Sequence, residues 1–311
     1  MREDLRFCPA TVQDAAEVRA VAAAAFAARP SLQPPSAALT ESVADVAADL
    51  DSAGGAVVRR GDAVLACLRL AFDDDVVRLR RVAVHPDHQG RGLGTRLALW
   101  TQAWLARRRL DGTLGEVSRI AVDVRRELPA NKRFWEVLEY GVVPPRPGLP
   151  DHMLTLERAL PAAVSVPDAE AMRALGAQLV PVLKPGDVVL LHGELGAGKT
   201  TFTQGLAAAL EVRGAVTSPT FVIARVHPGS LPLVHVDAYR VGSGLEVDDL
   251  DLDTALEDSV TVVEWGEGLV EDLSADRLEV RIERSQAEAD ERRVVVLEAF
   301  GPRWRGVALP G

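Results

Sequence analysis

The sequence has little of several residue types, and each shortage excludes a class of protein. Only two of its 311 residues are cysteines, Cys8 and Cys67, which is too few for a disulfide framework or a cysteine-based metal cluster. No apolar run reaches the roughly 20 residues that cross a bilayer. The formal net charge is -10, which argues against bulk electrostatic binding of nucleic acid. With no signal-peptide core in the first residues, we expect a cytoplasmic protein.

What the chain does contain predicts two domains. Its length allows about two domains, and 48% of its residues are hydrophobic, which is enough for folded cores. The proline-rich stretch 144–150 is followed by a strand-like run at 153–156, so we place the boundary after that run, within 161–167. The predicted domains are residues 1–160 and 161–311. Both mix strand-like and helix-like segments, which predicts the α/β class.

Residues 193–200 have the spacing G-x-x-x-x-G-K-T, typical of a phosphate-binding P-loop. An apolar run, 188–191, precedes them and a helix-like run follows, as this motif requires. Glycines let backbone N–H groups surround phosphate oxygens at a helix N-terminus. Lys199 can reach the β- and γ-phosphates, and the Thr200 hydroxyl can ligate Mg²⁺. The predicted ATP-binding residues are Gly193, Glu194, Leu195, Gly196, Ala197, Gly198, Lys199, Thr200 and Thr201.

Two further apolar runs end in acids, at Asp237 and Glu264. Parallel strands end at one edge of a sheet, so both acids are expected beside the P-loop. Asp237 is a candidate for binding Mg²⁺, and Glu264 for binding Mg²⁺ or orienting the attacking water. The alternative is that both acids only cap strand ends. Lys199, Asp237 and Glu264 are the predicted catalytic residues, and Thr200, Asp237 and Glu264 the predicted metal ligands.

Four secondary-structure predictions frame these motifs. A helix is expected over 38–50, and a second, capped within 165–168, is expected to run to Leu183. The alternating segment 76–84 predicts a half-buried strand. Segments 277–284 and 293–299 predict a hairpin that closes over the second sheet.

A second glycine-rich stretch follows the strand predicted at 76–84. Gln89-Gly90-Arg91-Gly92-Leu93-Gly94 precedes a helix-like run and can bind a pyrophosphate through backbone N–H groups. His85, Asp87 and His88 either ligate a metal or shape the turn, and the anion-binding loop beside them favours the turn. The stretch resembles the GNAT acetyltransferases, whose acetyl-CoA motif is Q/R-x-x-G-x-G/A.

The GNAT resemblance implies a mixed α/β sheet with one strand splayed from its neighbour, and acetyl-CoA as cofactor. Trp135 stands where many members carry a tyrosine that protonates the thiolate, and 76–84 lacks the carboxylate that many use as a base. An N-acetyltransferase of unknown acceptor and a non-catalytic module therefore both remain open. The implied acetyl-CoA-binding residues are Val82, Val84, Gln89, Gly90, Arg91, Gly92, Leu93, Gly94 and Asn131.

The second half resembles the TsaE family. The resemblance rests on residues 193–202, 217–221, 237–240, Glu246 and 263–265 in order and spacing. It implies an ATPase, with ATP and Mg²⁺, that is needed for tRNA threonylcarbamoyladenosine. It also implies binding to TsaB and TsaD, support of TsaD turnover, and contact with tRNA only through these partners. The fold implied for this half is a P-loop NTPase-like sheet flanked by helices.

The same resemblance assigns a nucleotide-sensing switch to Ser218, Pro219, Thr220 and Phe221. An ordinary proline turn is the alternative for this segment. Two other functions also remain open for the second half, a small-molecule P-loop kinase and a nucleotide-gated binding module. A kinase should carry an arginine-rich lid, whereas 240–260 is rich in acids.

Overall fold

The computed structural model describes residues 5–217, 224–237, 257–264, 274, 276–284 and 292–310. The chain divides into two compact units, Met1–Leu160 and Pro161–Gly311. In the described residues each unit holds a seven-stranded mixed sheet with helices, which confirms the predicted α/β class. Within these ranges no helix is both long enough and apolar enough to cross a membrane.

The N-terminal unit is built around the sheet order β1-β2-β3-β4-β5-β7-β6. The β4–β5 pair is parallel, and the other neighbours are antiparallel. The elements are β1 (Leu5–Ala10), α1 (Ala15–Ala27), α2 (Val43–Ala53), β2 (Gly55–Arg60), β3 (Ala63–Asp73), β4 (Val76–Val84), α3 (Leu93–Leu110), β5 (Arg119–Arg125), α4 (Pro129–Val137), β6 (Gly141–Val143) and β7 (Met153–Ala159).

Strand β4 changes its pairing halfway along. Its ladder with β5 covers Val76 to Leu79, opposite Arg119 to Val122. On the other side, the register with β3 shifts between Cys67 and Arg69. The shift is a β-bulge in β4 at Arg81, whose φ is 54°. Strands β4 and β5 are therefore no longer paired beyond Leu79.

Helix α2 begins later than predicted. The start expected at Ala38 is wrong, because Ala37–Leu39 is a separate 3-10 turn and α2 begins at Val43. Ser42 Oγ accepts a hydrogen bond from Asp45 N at 3.1 Å, and the Asp45 carboxylate accepts from Ser42 N at 2.8 Å. This capping box stabilises the helix start at Val43.

The C-terminal unit has the sheet order β10-β11-β12-β9-β13-β14-β8. Its four central strands, β11, β12, β9 and β13, are parallel to one another. The elements are β8 (Ala162–Val166), α5 (Ala169–Leu179), β9 (Val188–His192), α6 (Lys199–Ala209), β10 (Ala224–His227), β11 (Leu233–Asp237), β12 (Val260–Glu264), β13 (Arg277–Arg284) and β14 (Arg293–Phe300).

Strand β8 lies at the start of this unit, where it pairs with β14 at the sheet edge. Two local predictions for this unit need correction. Helix α5 is capped by Asp168, whose carboxylate accepts from Ala171 N at 2.8 Å, and it ends at Leu179 before a 3-10 turn. The β13–β14 hairpin does not cover the sheet but extends it, since β13 lies beside β9.

Helices α5 and α6 pack closely against each other. A Cβ atom at Gly205 would lie 2.0 Å from the carbonyl oxygen of Arg173, and one at Gly176 would lie 2.3 Å from that of Phe202. Phe202, Leu179 and Leu206 are fully buried in the same core. The glycines allow α6 to lie close to α5, directly after the P-loop.

Candidate functional sites

The P-loop connects β9 to α6 at the carboxyl edge of the parallel strands. Gly193 has a φ of 150°, and a Cβ atom there would lie 2.6 Å from the carbonyl oxygen of Ile282. Gly198 is the N-cap of α6 with a φ of 116°. Side chains at either position would strain or displace the loop. Leu195 at the loop is 84% exposed, whereas Ala197 is buried.

Lys199 begins α6 and lies across the P-loop. Its Nζ donates hydrogen bonds to the carbonyl oxygens of Gly193 at 2.8 Å and Glu194 at 3.1 Å. Burial lowers the pKa of the Lys199 amine because it disfavours the charged form, and Glu264 and Asp237 only partly oppose this. The amine is therefore held within the loop of the predicted phosphate site.

The two predicted acids meet beside the start of α6. Asp237 and Glu264 are register partners at the ends of the parallel strands β11 and β12, and both are buried. Thr200 Oγ1 donates to Glu264 Oε1 at 3.0 Å. The structure thus joins three predicted residues from three separate elements at one point of the sheet edge.

His235 is a further residue of this cluster that the sequence motifs did not indicate. It is fully buried, and its Nε2 lies 3.0 Å from Glu264 Oε1. A signal was available, because His235 precedes Asp237 by two positions and so lies on the same face of β11. His235 and Thr200 together fix the orientation of the Glu264 carboxylate.

The cluster of Thr200, Asp237 and Glu264 fits Mg²⁺ by its donor chemistry. Magnesium prefers oxygen ligands and is commonly held by one or two carboxylates together with substrate phosphates and water. A protein-only cage is not needed, and across the described ranges no three or more His, Cys, Asp and Glu side chains form a metal-binding group.

A charged cluster lies at the neighbouring strand, β13. Glu279 is fully buried and accepts hydrogen bonds from Arg277 Nε at 2.9 Å and Arg281 Nη2 at 2.7 Å, and His192 Nε2 lies 3.2 Å away. Burial raises the pKa of the Glu279 carboxyl, but His192, Arg281 and Arg277 together lower it well below its usual range. The cluster therefore keeps the Glu279 carboxylate charged beside β9, the strand that leads into the P-loop.

Arg293 on β14 reaches the P-loop from outside the motif. Its Nε donates to the carbonyl oxygen of Ala197 at 3.2 Å. No local pattern in the sequence predicts this contact, because it joins residues far apart along the chain.

Several predicted features lie outside the described residues, namely the switch residues Ser218, Pro219, Thr220 and Phe221, and also Glu246 and residues 238–240 and 265.

In the N-terminal unit the second glycine-rich stretch forms the turn before α3. Gly90 and Gly92 have φ values of 73° and 70°, and Gly92 is the N-cap of the helix that begins at Leu93. Gln89 Nε2 donates to the carbonyl oxygen of Val84 at 3.0 Å. His85 Nδ1 accepts from Asp87 N at 3.4 Å, so His85 shapes the turn.

A cavity of about 1080 Å³ opens where β4 and β5 diverge. The implied acetyl-CoA residues Gly90, Arg91, Gly92 and Leu93 lie in the adjoining turn and helix start. The other implied residues, which line the cavity itself, are Val82, Val84, Gln89, Gly94 and Asn131.

The cavity differs from the GNAT pattern at the positions where proton-transfer groups are expected. Trp135 lines it and stacks edge-on against Tyr140, whose buried hydroxyl accepts from Gln102 Nε2 at 3.3 Å. The sequence motifs did not indicate two other lining residues, Asp123 and His152. Asp123 Oδ1 accepts from Thr155 Oγ1 at 2.7 Å. An imidazole and a carboxylate are groups that can accept a proton.

Comparison with known proteins finds two family matches in separate parts of the chain. The family described as "Threonylcarbamoyl adenosine biosynthesis protein TsaE" matches residues 166–294, and "Acetyltransferase (GNAT) family" matches residues 24–139. The tRNA threonylcarbamoyladenosine biosynthesis protein TsaE of Streptomyces coelicolor is 62% identical over 138 residues, which are 43% of this chain and 93% of that protein. Both predicted resemblances, and the fusion of the two, are confirmed.

Two solved structures are similar to one half each. YdiB of Bacillus subtilis is 34% identical over 46% of this chain and 88% of that chain, with a TM-score of 0.39. The PaiA N-acetyltransferase of Thermoplasma acidophilum, solved with coenzyme A, is 12% identical over 50% of this chain and 99% of that chain, with a TM-score of 0.41.

Proposed function

Because the chain belongs to the TsaE family through its C-terminal unit, we propose that this unit binds and hydrolyses ATP during tRNA threonylcarbamoyladenosine formation. In this proposal, hydrolysis supports turnover by TsaD with TsaB, and tRNA is contacted only through them. The observation that carries the proposal is the 3.0 Å contact of Thr200 with Glu264, beside Asp237 and the P-loop lysine.

The residues of the site divide the tasks of this hydrolysis among them. The backbone N–H groups of 193–198 bind phosphate oxygens, and Lys199 neutralises the terminal phosphates. Thr200, Asp237 and Glu264 would hold Mg²⁺, which when bound lowers the charge on the phosphate oxygens. Glu264 also orients the attacking water, and His235 keeps the Glu264 carboxylate in place.

Phosphate release by the full chain tests the proposal, measured with and without TsaB and TsaD. Lys199→Ala and Glu264→Ala should each lower partner-dependent release by about 100-fold or more. Glu257→Gln, on an exposed residue ahead of β12, is the matched control and should leave release unchanged. ADP formation that requires a small acceptor, without release of free phosphate, would favour a kinase. ATP binding without any release would favour a nucleotide-gated binding module.

For the N-terminal unit we propose acetyl-CoA-dependent acetylation of an amine. The support is the cavity at the β4–β5 divergence, lined by Val82, Val84 and Asn131 and bordered by the glycine-rich turn. Because an indole N–H does not serve as a proton donor in catalysis, Trp135 cannot replace the family tyrosine. His152 is the lining group that would take the proton from the amine, because the Asp123 carboxylate is already paired with Arg146 and Arg78.

Calorimetric titration of the full chain with acetyl-CoA tests this second function. Heat of binding, followed by transfer to members of an amine panel, would support an acetyltransferase. A folded chain that gives no heat would exclude the enzyme, and binding without transfer would identify a non-catalytic module. His152→Gln should reduce transfer without weakening acetyl-CoA binding if His152 takes the proton.

A further inference from the structure

Glu41 does not line the cavity, yet its carboxylate contacts Arg81, the residue at which strand β4 bulges. We propose that Glu41 is a positioning residue for the acyl-coenzyme A site, acting through Arg81 on the backbone of Val82. The inference rests on the proposed acetyl-CoA binding by the N-terminal unit. It concerns a residue ahead of α2 that does not line the cavity.

Arg81 is held in a conformation that non-glycine residues seldom adopt. Its φ of 54° is left-handed, which brings Cβ too close to the following carbonyl oxygen. A residue persists in this region only where its surroundings hold it there. At Arg81 the result is the register shift between β3 and β4.

The Glu41 carboxylate supplies that hold. Glu41 Oε1 accepts from Arg81 Nε at 3.0 Å and from Arg81 Nη2 at 2.7 Å, a two-point contact that fixes the guanidinium. Glu41 Oε2 accepts from Arg69 Nη2 at 2.6 Å. Arg69 is 1% exposed and also binds Asp49 of α2 at 2.7 Å, so the carboxylate is itself anchored from the core.

The position of the bulge explains why this contact matters for the cavity. Arg81 and Val82 both line the cavity, and their strand has already separated from β5 at Leu79. The bulge, and not hydrogen bonding to β5, therefore sets the orientation of the peptide groups around Val82. If Arg81 returns to an extended conformation, the register slips and the residues that follow face the opposite side.

Comparing the binding of acetyl-CoA with that of a fragment of it distinguishes this role from general destabilisation of the protein. In the full chain, Glu41→Gln should weaken acetyl-CoA binding by about tenfold, measured by calorimetry. The same variant should bind adenosine 3′,5′-bisphosphate, which lacks the pantetheine arm, as the wild type does. Glu17→Gln, the same substitution at an acid that pairs with Arg59 and does not line the cavity, should leave both affinities unchanged. Equal losses for both ligands would overturn the proposal.

Variants at Arg81 provide a second, independent test. Glycine adopts a φ of this kind without steric cost, so Glu41→Gln should cause no further loss in an Arg81→Gly background. Arg81→Ala should bind acetyl-CoA more weakly than Arg81→Gly, and this comparison stands even if Glu41→Gln does not fold. A tenfold loss from Glu41→Gln in the glycine background would refute the inference. Wild-type chain that binds no acetyl-CoA would refute the proposed function as well.

Discussion

At the scale of residues, a cluster of oppositely charged side chains surrounds a buried carboxylate beside the P-loop. Glu279 is fully buried and is surrounded by Arg277, Arg281 and His192. Removing one member of a buried ion pair leaves the other without its partner, and this costs about 3–5 kcal/mol. The cluster therefore makes the stability of the C-terminal unit sensitive to the charge of one carboxyl group.

Glu279→Gln should lower the free energy of unfolding of this unit by about 3 kcal/mol at neutral pH. The folded-state pKa of Glu279 lies below the unfolded value, so its stabilisation is present above about pH 4.3 and is lost as the pH falls below it. Urea unfolding at pH 7 and pH 3 measures the difference from wild type. The difference should shrink at pH 3, and a constant difference would contradict the assignment.

Cys67 should be almost unreactive in the folded chain. Burial raises the pKa of its thiol to about 12, although Arg69 opposes the shift. At pH 8 its thiolate fraction is then about a thousandfold below that of an ordinary thiol. Alkylation followed by peptide mass spectrometry should label the half-buried Cys8 and not Cys67. Both should react in urea, and rapid native labelling of Cys67 would contradict this.

At the scale of elements, an alanine in place of Gly205, at the contact between α5 and α6, would have two opposite effects on stability. Replacing Gly205 by alanine raises helix propensity by about 1 kcal/mol. The added Cβ atom would, however, lie 2.0 Å from the carbonyl oxygen of Arg173, and overpacking costs about 1–3 kcal/mol. With a backbone atom as neighbour, the cost falls at the upper end of that range.

Gly205→Ala should therefore destabilise the C-terminal unit by about 1–2 kcal/mol, the cost of overpacking less the gain in propensity. Chemical denaturation followed by circular dichroism measures the change. Ala208→Gly, on an exposed position of the same helix, should cost only the propensity of about 1 kcal/mol. A Gly205→Ala variant more stable than wild type would show that α6 can move away from α5.

Elements defined by local patterns were predictable from the sequence. Strands β9, β11 and β12 are short apolar runs with an acid or a glycine loop at their ends, and this placed Asp237 and Glu264 at one edge. The capping box at Ser42 is a local pattern too, but the predicted start of α2 at Ala38 missed it. Strand β8 could not be predicted in the same way, because it becomes a strand only by pairing with β14. The contact of Arg293 with Ala197 is equally non-local.

At the scale of the whole molecule, the two glycine-rich turns that precede α3 and α6 lie in two separate units. Lys199→Ala in the chromosomal copy should abolish or strongly reduce tRNA threonylcarbamoyladenosine, because the C-terminal unit carries that function. Glu41→Gln should leave this modification unchanged. Nucleoside mass spectrometry of bulk tRNA measures both. A loss caused by the Glu41 variant would mean that the two units are functionally coupled.

The pairing of β8 with β14 has a consequence for synthesis on the ribosome. Strand β8 is the first of its sheet to be translated, and its partner, with Val166 opposite Arg293, is the last. The strands of the N-terminal unit are all complete before β8 is made, so that unit can fold first. The second sheet must keep one edge open until β14 emerges, because among the described strands β8 has no partner in the sheet before then.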